Sequence, residues 1–270
     1  GLPGRYPALF DDPKRGEEAR RVFDDAQRLL SEIVDRRLLR ADGVIGLYPA
    51  ASDGDDIVLY ADESRERERM RLPQLRNQQA DRERNLSLAD FVAPLGSGVK
   101  DYVGAFAVTA GLGLEELAGR YRSEGDDYRA IMAKLLADRL TEAFAEALHR
   151  YARVTLWGYE REGQWSVGDL LAEKYQGIRP AFGYPSAPDH SLKADVFALM
   201  DVGTVTGMTM TESYMIVPGE AACGLMLGHP EARNFSVGRI DSEQLASYAA
   251  RRGTDPEKMR VLIPQHLIDM

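Results

Sequence analysis

From Asp126 to Arg153 the chain runs without a glycine or a proline, the two residues that most readily interrupt a helix. Met132, Leu136, Leu140, Ala143, Phe144, Ala147, Leu148 and Tyr151 recur there at three- and four-residue spacing. The spacing predicts one long helix with a broad apolar stripe. A second sector of the same helix gathers Tyr128, Ile131 and Leu135 with Asp138, Glu142 and His149. Carboxylates among apolar neighbours either face water, or are buried and must be met by a cation. The pattern leaves both open.

The remaining elements are shorter. Residues 16–39 place Ala19, Val22, Phe23, Ala26, Leu29, Leu30, Ile33 and Val34 on one face and read as an amphipathic helix. Residues 43–50 and 56–62 read as a strand pair, 102–111 as a buried strand, and 207–219 as a strand with Thr209 and Thr211 on its wet face. Residues 222–228 and 234–240 continue the sheet, with His229–Pro230 turning between them. The charged stretch 63–85 reads as a solvated helix or loop. Short helices are expected over 164–175, capped by Ser166, and over 190–202, capped by Ser191. Residues 241–253 and 255–263 are closing helices, the second with Asp255 as cap and Pro256 in its first turn. Strands come in clusters, without the strand–helix–strand cadence of a parallel sheet, so the predicted class is α+β with an antiparallel sheet.

Charge and composition remove several function classes. The formal net charge of −9 over 270 residues is the opposite of the basic surface a nucleic-acid binder needs. No apolar run approaches the roughly 20 residues that span a bilayer, and no signal peptide is visible. A single cysteine, Cys223, rules out an internal disulfide and a cysteine-based zinc site and fits a reducing, cytoplasmic setting. In "ACGLMLG" it reads as a small buried hydrophobe. The four histidines have no ligand spacing, so no metal is expected. The dinucleotide, phosphate-loop, zinc-protease and serine-hydrolase motifs are all missing; "GLGLEEL" (111–117) is a helix start.

One segment stands apart. "GIRPAFGYPSAPDH" (177–190) holds three prolines and two glycines around Arg179 and Tyr184. The prolines fix φ and push their predecessors toward extended geometry, so this is a rigid loop whose amides and carbonyls cannot all pair within it. Arg179 offers a planar fork suited to a carboxylate. A ligand's carboxylate or one of the protein's own would satisfy it equally.

This run, together with "TGMTMTESYMIVPG", "GHPEARNFSVGRI", "DYRAIMAKLLADRLTEAFAE", "GRYPALFDDP", "GVIGLYPA", "GDDI" and "NLSLADFVAP" in order, resembles the S-adenosylmethionine-binding activation (reactivation) domain of cobalamin-dependent methionine synthase. The similarity spans essentially the whole chain, residues 1–270. The resemblance implies a C-shaped single α+β domain around a curved antiparallel sheet with flanking long helices. It implies that S-adenosylmethionine is bound and presented for reductive remethylation of cob(II)alamin, which a partner cobalamin-binding domain holds, with an electron from a flavodoxin-type donor. By the same resemblance Arg179 grips the ligand carboxylate, Glu142 meets its ammonium, and Ala181 and Gly183 give backbone contacts to the adenosine. Tyr184 sits between the sulfonium and the corrin, and Asp138 pairs with a displaced axial histidine of the cobalamin domain. Asn234 and Phe235 stand where the family has paired aromatics against the adenosine, and Phe182, Ala187 and Val217 stand where Pro, Cys and Trp are usual. The family also has a ligand-binding acid upstream of "GRYP". Beginning at Gly1, the sequence reads as a fragment lacking that edge, with weaker affinity expected. The alternative is a noncatalytic module that docks a corrinoid protein and has lost its ligand.

Overall fold

The computed structural model describes residues 6–79 and 84–267. Gly4 and Arg5 of the "GRYP" motif, and residues 80–83 of the charged stretch, lie outside them. In chain order the elements are α1 (Gly16–Asp35), β1 (Arg40–Asp53), β2 (Asp56–Tyr60), β3 (Glu68–Pro73), β4 (Asp101–Leu112), α2 (Leu114–Ser123), α3 (Asp127–Tyr151), α4 (Val167–Leu171), α5 (Leu192–Met200), α6 (Val202–Thr206), β5 (Thr209–Met210), β6 (Ile216–Val217), β7 (Ala221–Leu227), α7 (Ser242–Arg251) and α8 (Pro256–Leu262). The chain divides into two compact units. The mixed helix-and-sheet class expected from the sequence is the one observed.

The first unit comprises residues 1–42, 109–144 and 218–221. Leu29 and Ile33 of α1, Leu117 and Tyr121 of α2, and Ala130, Ala133 and Ala137 of α3 form its core. Arg129 lies 4.5 Å over the Tyr121 ring, covering the edge of that core with a cation. Gly113, at φ +90°, turns β4 into α2; a side chain there would be strained and would crowd the Leu38 carbonyl.

The second unit holds most of the main sheet, whose strand order is β3-β2-β1-β4-β7. β1 and β3 both pair antiparallel with β2, which is buried along its whole length. A second core of Leu75, Val237, Ile240, Leu245, Tyr248, Met259 and Ile263 sits under α7 and α8. Asp241 and Asp255 cap these two helices by accepting from Gln244 N–H and Glu257 N–H, as the sequence predicts for Asp255.

Several expectations are corrected. The charged stretch 63–85 contains β3, an edge strand. Its alternation was hidden by long side chains: Met70 and Leu72 oppose Leu59 and Ile57, while Arg71 on the other face bonds Asp53, Asp56 and Glu68. Residues 234–240 form no strand; Val237 and Ile240 are buried one at a time beneath irregular backbone. Residues 207–219 give only a small hairpin of β5 and β6, apart from the main sheet. Ser191 makes no capping bond to α5; its N–H donates to Asp189 Oδ1 at 2.7 Å and its hydroxyl accepts from Arg252.

The apolar stripe of α3 also differs. Ala143, Ala147 and Tyr151 are exposed, and the buried ridge is Ala133, Ala137, Thr141, Ala145 and His149, followed by Arg153 in the π-turn after the helix. Steps of four residues advance about 40° around the axis, so this ridge winds along the helix instead of forming one straight stripe. Tyr128, Ile131 and Leu135 face water, the bland option for that sector, but His149 does not: it is fully buried. No helix among the described residues is long and apolar enough to cross a membrane.

Candidate functional site

The loop 177–190 solves its pairing problem against β7. β7 ends the sheet, so one of its edges has no strand neighbour among the described residues. Ile178 exchanges both backbone hydrogen bonds with Leu227 at 2.9 Å, Leu225 N–H donates to Pro180 O at 3.0 Å, and Phe182 N–H donates to Cys223 O at 3.0 Å. The loop thus covers an edge that would otherwise invite pairing with another chain. It approaches so closely that a Cβ on Gly224 would lie 2.1 Å from Pro180 O. Cys223 is buried beneath it and burial pushes its thiol pKa up, consistent with a packing role.

The loop then turns tightly. Gly183 has φ +93°, and a Cβ there would meet the His190 ring at 2.4 Å. Gly183 N–H donates to Ala187 O and Ala187 N–H to Tyr184 O, which leaves the Tyr184 side chain 56 % exposed at the tip. Val237 N–H donates to Pro185 O, tying the segment that carries Asn234 and Phe235 to the turn. Asn234 Nδ2 donates to Glu173 at 3.2 Å, and Phe235 is half-buried, edge-on to Phe91. At the loop's far end Asp189, 1 % exposed, accepts from Tyr248 OH at 2.7 Å.

Arg179 is met by the protein's own acid, one of the two options its chemistry allowed. Its Nη1 donates to Glu146 Oε2 and, at 3.0 Å, to Tyr175 OH. Tyr175 OH in turn donates to Glu146 Oε2 at 3.0 Å. Glu146 Oε1 lies 3.4 Å from Nη2 of Arg153, whose Nε donates to Glu160 at 2.7 Å and whose guanidinium stacks 3.8 Å from the centre of the Tyr175 ring. Arg153 is 0 % exposed. Burial pulls the Arg179 pKa down, but Glu146 and Tyr175 more than offset it, so the guanidinium is held above its usual value. Burial pushes Tyr175 up to about 12, so it keeps the proton it donates.

His149 packs edge-on against Tyr175, and neither ring nitrogen has a hydrogen-bond partner among the described residues. Burial first, then the charges of Arg153 and Arg179, hold its pKa well below 6.5. The unfolded chain therefore takes up a proton near pH 6.5 that the folded chain refuses. Stability falls as pH drops below that value, by up to about 1.4 kcal/mol per pH unit from this group. Denaturant titrations at pH 7, 6 and 5 should show the stability of the native protein declining relative to His149→Leu. Parallel pH profiles would contradict a buried neutral imidazole.

The structure gathers Arg179, Ala181, Gly183, Tyr184, Asn234 and Phe235 into the second unit, while Glu142 and Asp138 belong to the first. Glu142 is exposed, and Asp138 pairs with Arg139. Glu146, Tyr175, Arg153 and Glu160 carry no expectation from the sequence, and His149 is singled out there only as one member of a sector open to water or to burial. Their signal was the continuation of the buried four-residue ridge of α3 into two polar side chains, His149 and Arg153, since polar groups on a buried ridge require partners.

Residues 1–253 match the family described as vitamin B12 dependent methionine synthase, activation domain. The chain belongs to this family. The activation domain is also similar, at 42 % sequence identity and a TM-score of 0.96, to a crystal structure of the MetH reactivation domain bound to AdoHcy. The match covers 100 % of this chain and 83 % of that one. The α+β architecture is thus that of a known reactivation domain, and the rigid loop on β7 is the part of it whose motif is densest in the sequence.

Proposed function

We propose that this activation domain binds S-adenosylmethionine and presents its methyl group for reductive reactivation of the cobalamin carried by a separate domain of methionine synthase. The observation that carries the reading is the loop 177–190, locked along β7 so that Arg179 and Tyr184 are presented from a fixed backbone. Family membership and the AdoHcy bound to a 42 % identical domain support it, AdoHcy being the demethylated form of the donor.

Arg179 is the carboxylate ligand. Among the described residues only its Nη1 is engaged, so an edge of its fork stays available for a bidentate contact. Ala181 and Gly183 bring backbone close to the adenosine without side-chain bulk, and Asn234 and Phe235 contribute from the segment tied to Pro185. Tyr184, exposed at the tip, stands beside the sulfonium. The contacts of Glu142 with the ligand ammonium and of Asp138 with a cobalamin-domain histidine rest on the resemblance. Cobalamin, when docked, supplies the metal that accepts the methyl group. A flavodoxin-type donor supplies the electron, and the chain alone does not turn over methionine.

Titration calorimetry tests this. Wild-type protein binds S-adenosylmethionine and S-adenosylhomocysteine, and Arg179→Ala binds both about 10- to 100-fold more weakly, the range for losing a charge-assisted contact. Absence of binding by the wild type would favour a noncatalytic docking module.

A further inference from the structure

Arg179 Nη1, Glu146 Oε2 and Tyr175 OH close a ring: Nη1 donates to Glu146 Oε2 and to Tyr175 OH, and Tyr175 OH donates to the same Glu146 oxygen. A guanidinium has five N–H groups, two of them on Nη1. Both are spent within the protein. Nε and Nη2 make no hydrogen bond to any described residue, and the side chain is one-fifth exposed. These two atoms form the side-on edge that grips a carboxylate bidentately.

Glu146 is in turn fixed from behind. Arg153 approaches its other oxygen and stacks on the Tyr175 ring, and Glu160 anchors Arg153. The charges of Arg153, Glu160, Glu146 and Arg179 cancel, so the group has no net drive to expel Glu146 or to capture a stray anion at Nη1. An arginine held this way has already lost the rotamer freedom that binding would otherwise remove.

We propose that Glu146, with Tyr175, is a positioning residue for ligand binding: it immobilises Arg179 through Nη1 so that the Nε–Nη2 edge is ready for the ligand carboxylate. This rests on the reading of Arg179 as the carboxylate ligand. Glu146 acts only through the arginine, and its contribution appears only for ligands that bear a carboxylate.

The test compares S-adenosylhomocysteine with adenosine, which lacks the amino-acid end, on the full chain by calorimetry. For Glu146→Gln the affinity for S-adenosylhomocysteine should fall about tenfold, and for Tyr175→Phe about threefold, the effect of leaving one side chain unordered before binding. Adenosine affinity should stay within twofold for both. Tyr175→Phe removes one hydroxyl and no charge, so it keeps the test available if Glu146→Gln does not fold. Equal losses for the two ligands would mark a merely structural role and overturn the proposal. So would unchanged or tighter S-adenosylhomocysteine binding by the variants while Arg179→Ala is weakened, which leaves the Arg179 reading intact. An unaffected Arg179→Ala would remove both.

Discussion

Arg153→Ala is expected to cost the fold about 3–5 kcal/mol, the usual penalty for breaking a buried ion pair from one side. Arg153 is 0 % exposed, and its partner Glu160 keeps only 5 % of its side-chain surface. Removing the guanidinium strands Glu160 with no cation and weakens the hold on Glu146. It also strips the Tyr175 ring of the group stacked on it at 3.8 Å. One residue past His149 and off the buried ridge, Arg150 pairs with Glu162 in the open, at 43 % and 75 % side-chain exposure. Arg150→Ala should therefore change stability by less than about 1 kcal/mol. Chemical denaturation of the two variants separates the cases, and the thermal midpoint of Arg153→Ala should fall by about 6–20 °C. Replacing Arg153 and Glu160 together by apolar residues should recover much of the loss, because neither charge is then left unpaired. A loss below 1 kcal/mol for Arg153→Ala alone would mean that water reaches Glu160.

The contrast between these two arginines shows where the sequence was legible. α1, β1, β2, β4, α3, β7, α7 and α8 announced themselves through apolar periodicity and through Asp255–Pro256, since those signals are local. β3 did not, because Arg69 and Arg71 mask the alternation of Met70 and Leu72, and only pairing with β2 reveals which face is inward. Val237 and Ile240 looked like a strand because β-branched residues are common in strands, yet each fills a hole from irregular backbone. At the site, the proline-rich loop around Arg179 was visible as a rigid element and as a family motif. Its acid partner was not. Glu142 and Glu146 are one helical turn apart; the choice is made by Arg153, two turns further along the same run, and by Tyr175, which comes from elsewhere in the chain.

That dependence on long-range backbone contact makes Gly224→Val the sharpest probe of the loop itself. A Cβ at this position would sit 2.1 Å from Pro180 O and 2.7 Å from Ala181 Cα. Both are backbone atoms of a proline-stiffened segment, so no rotamer change relieves the clash. Either β7 or the loop must retreat, and the bonds from Leu225 N–H to Pro180 O and from Phe182 N–H to Cys223 O stretch or break. Overpacking at the upper end of its usual range, about 3 kcal/mol, is expected. Because Arg179 and Tyr184 flank the displaced residues, S-adenosylhomocysteine binding should fall at least tenfold even at temperatures where the variant remains folded. Gly119→Ala is the companion: it lies inside α2 with nothing within 4 Å of the new Cβ, and should leave binding unchanged while adding about 0.5–1 kcal/mol of stability. If Gly224→Val kept full affinity, the loop would owe its geometry to its own prolines, and the edge of β7 would be only a resting place for it.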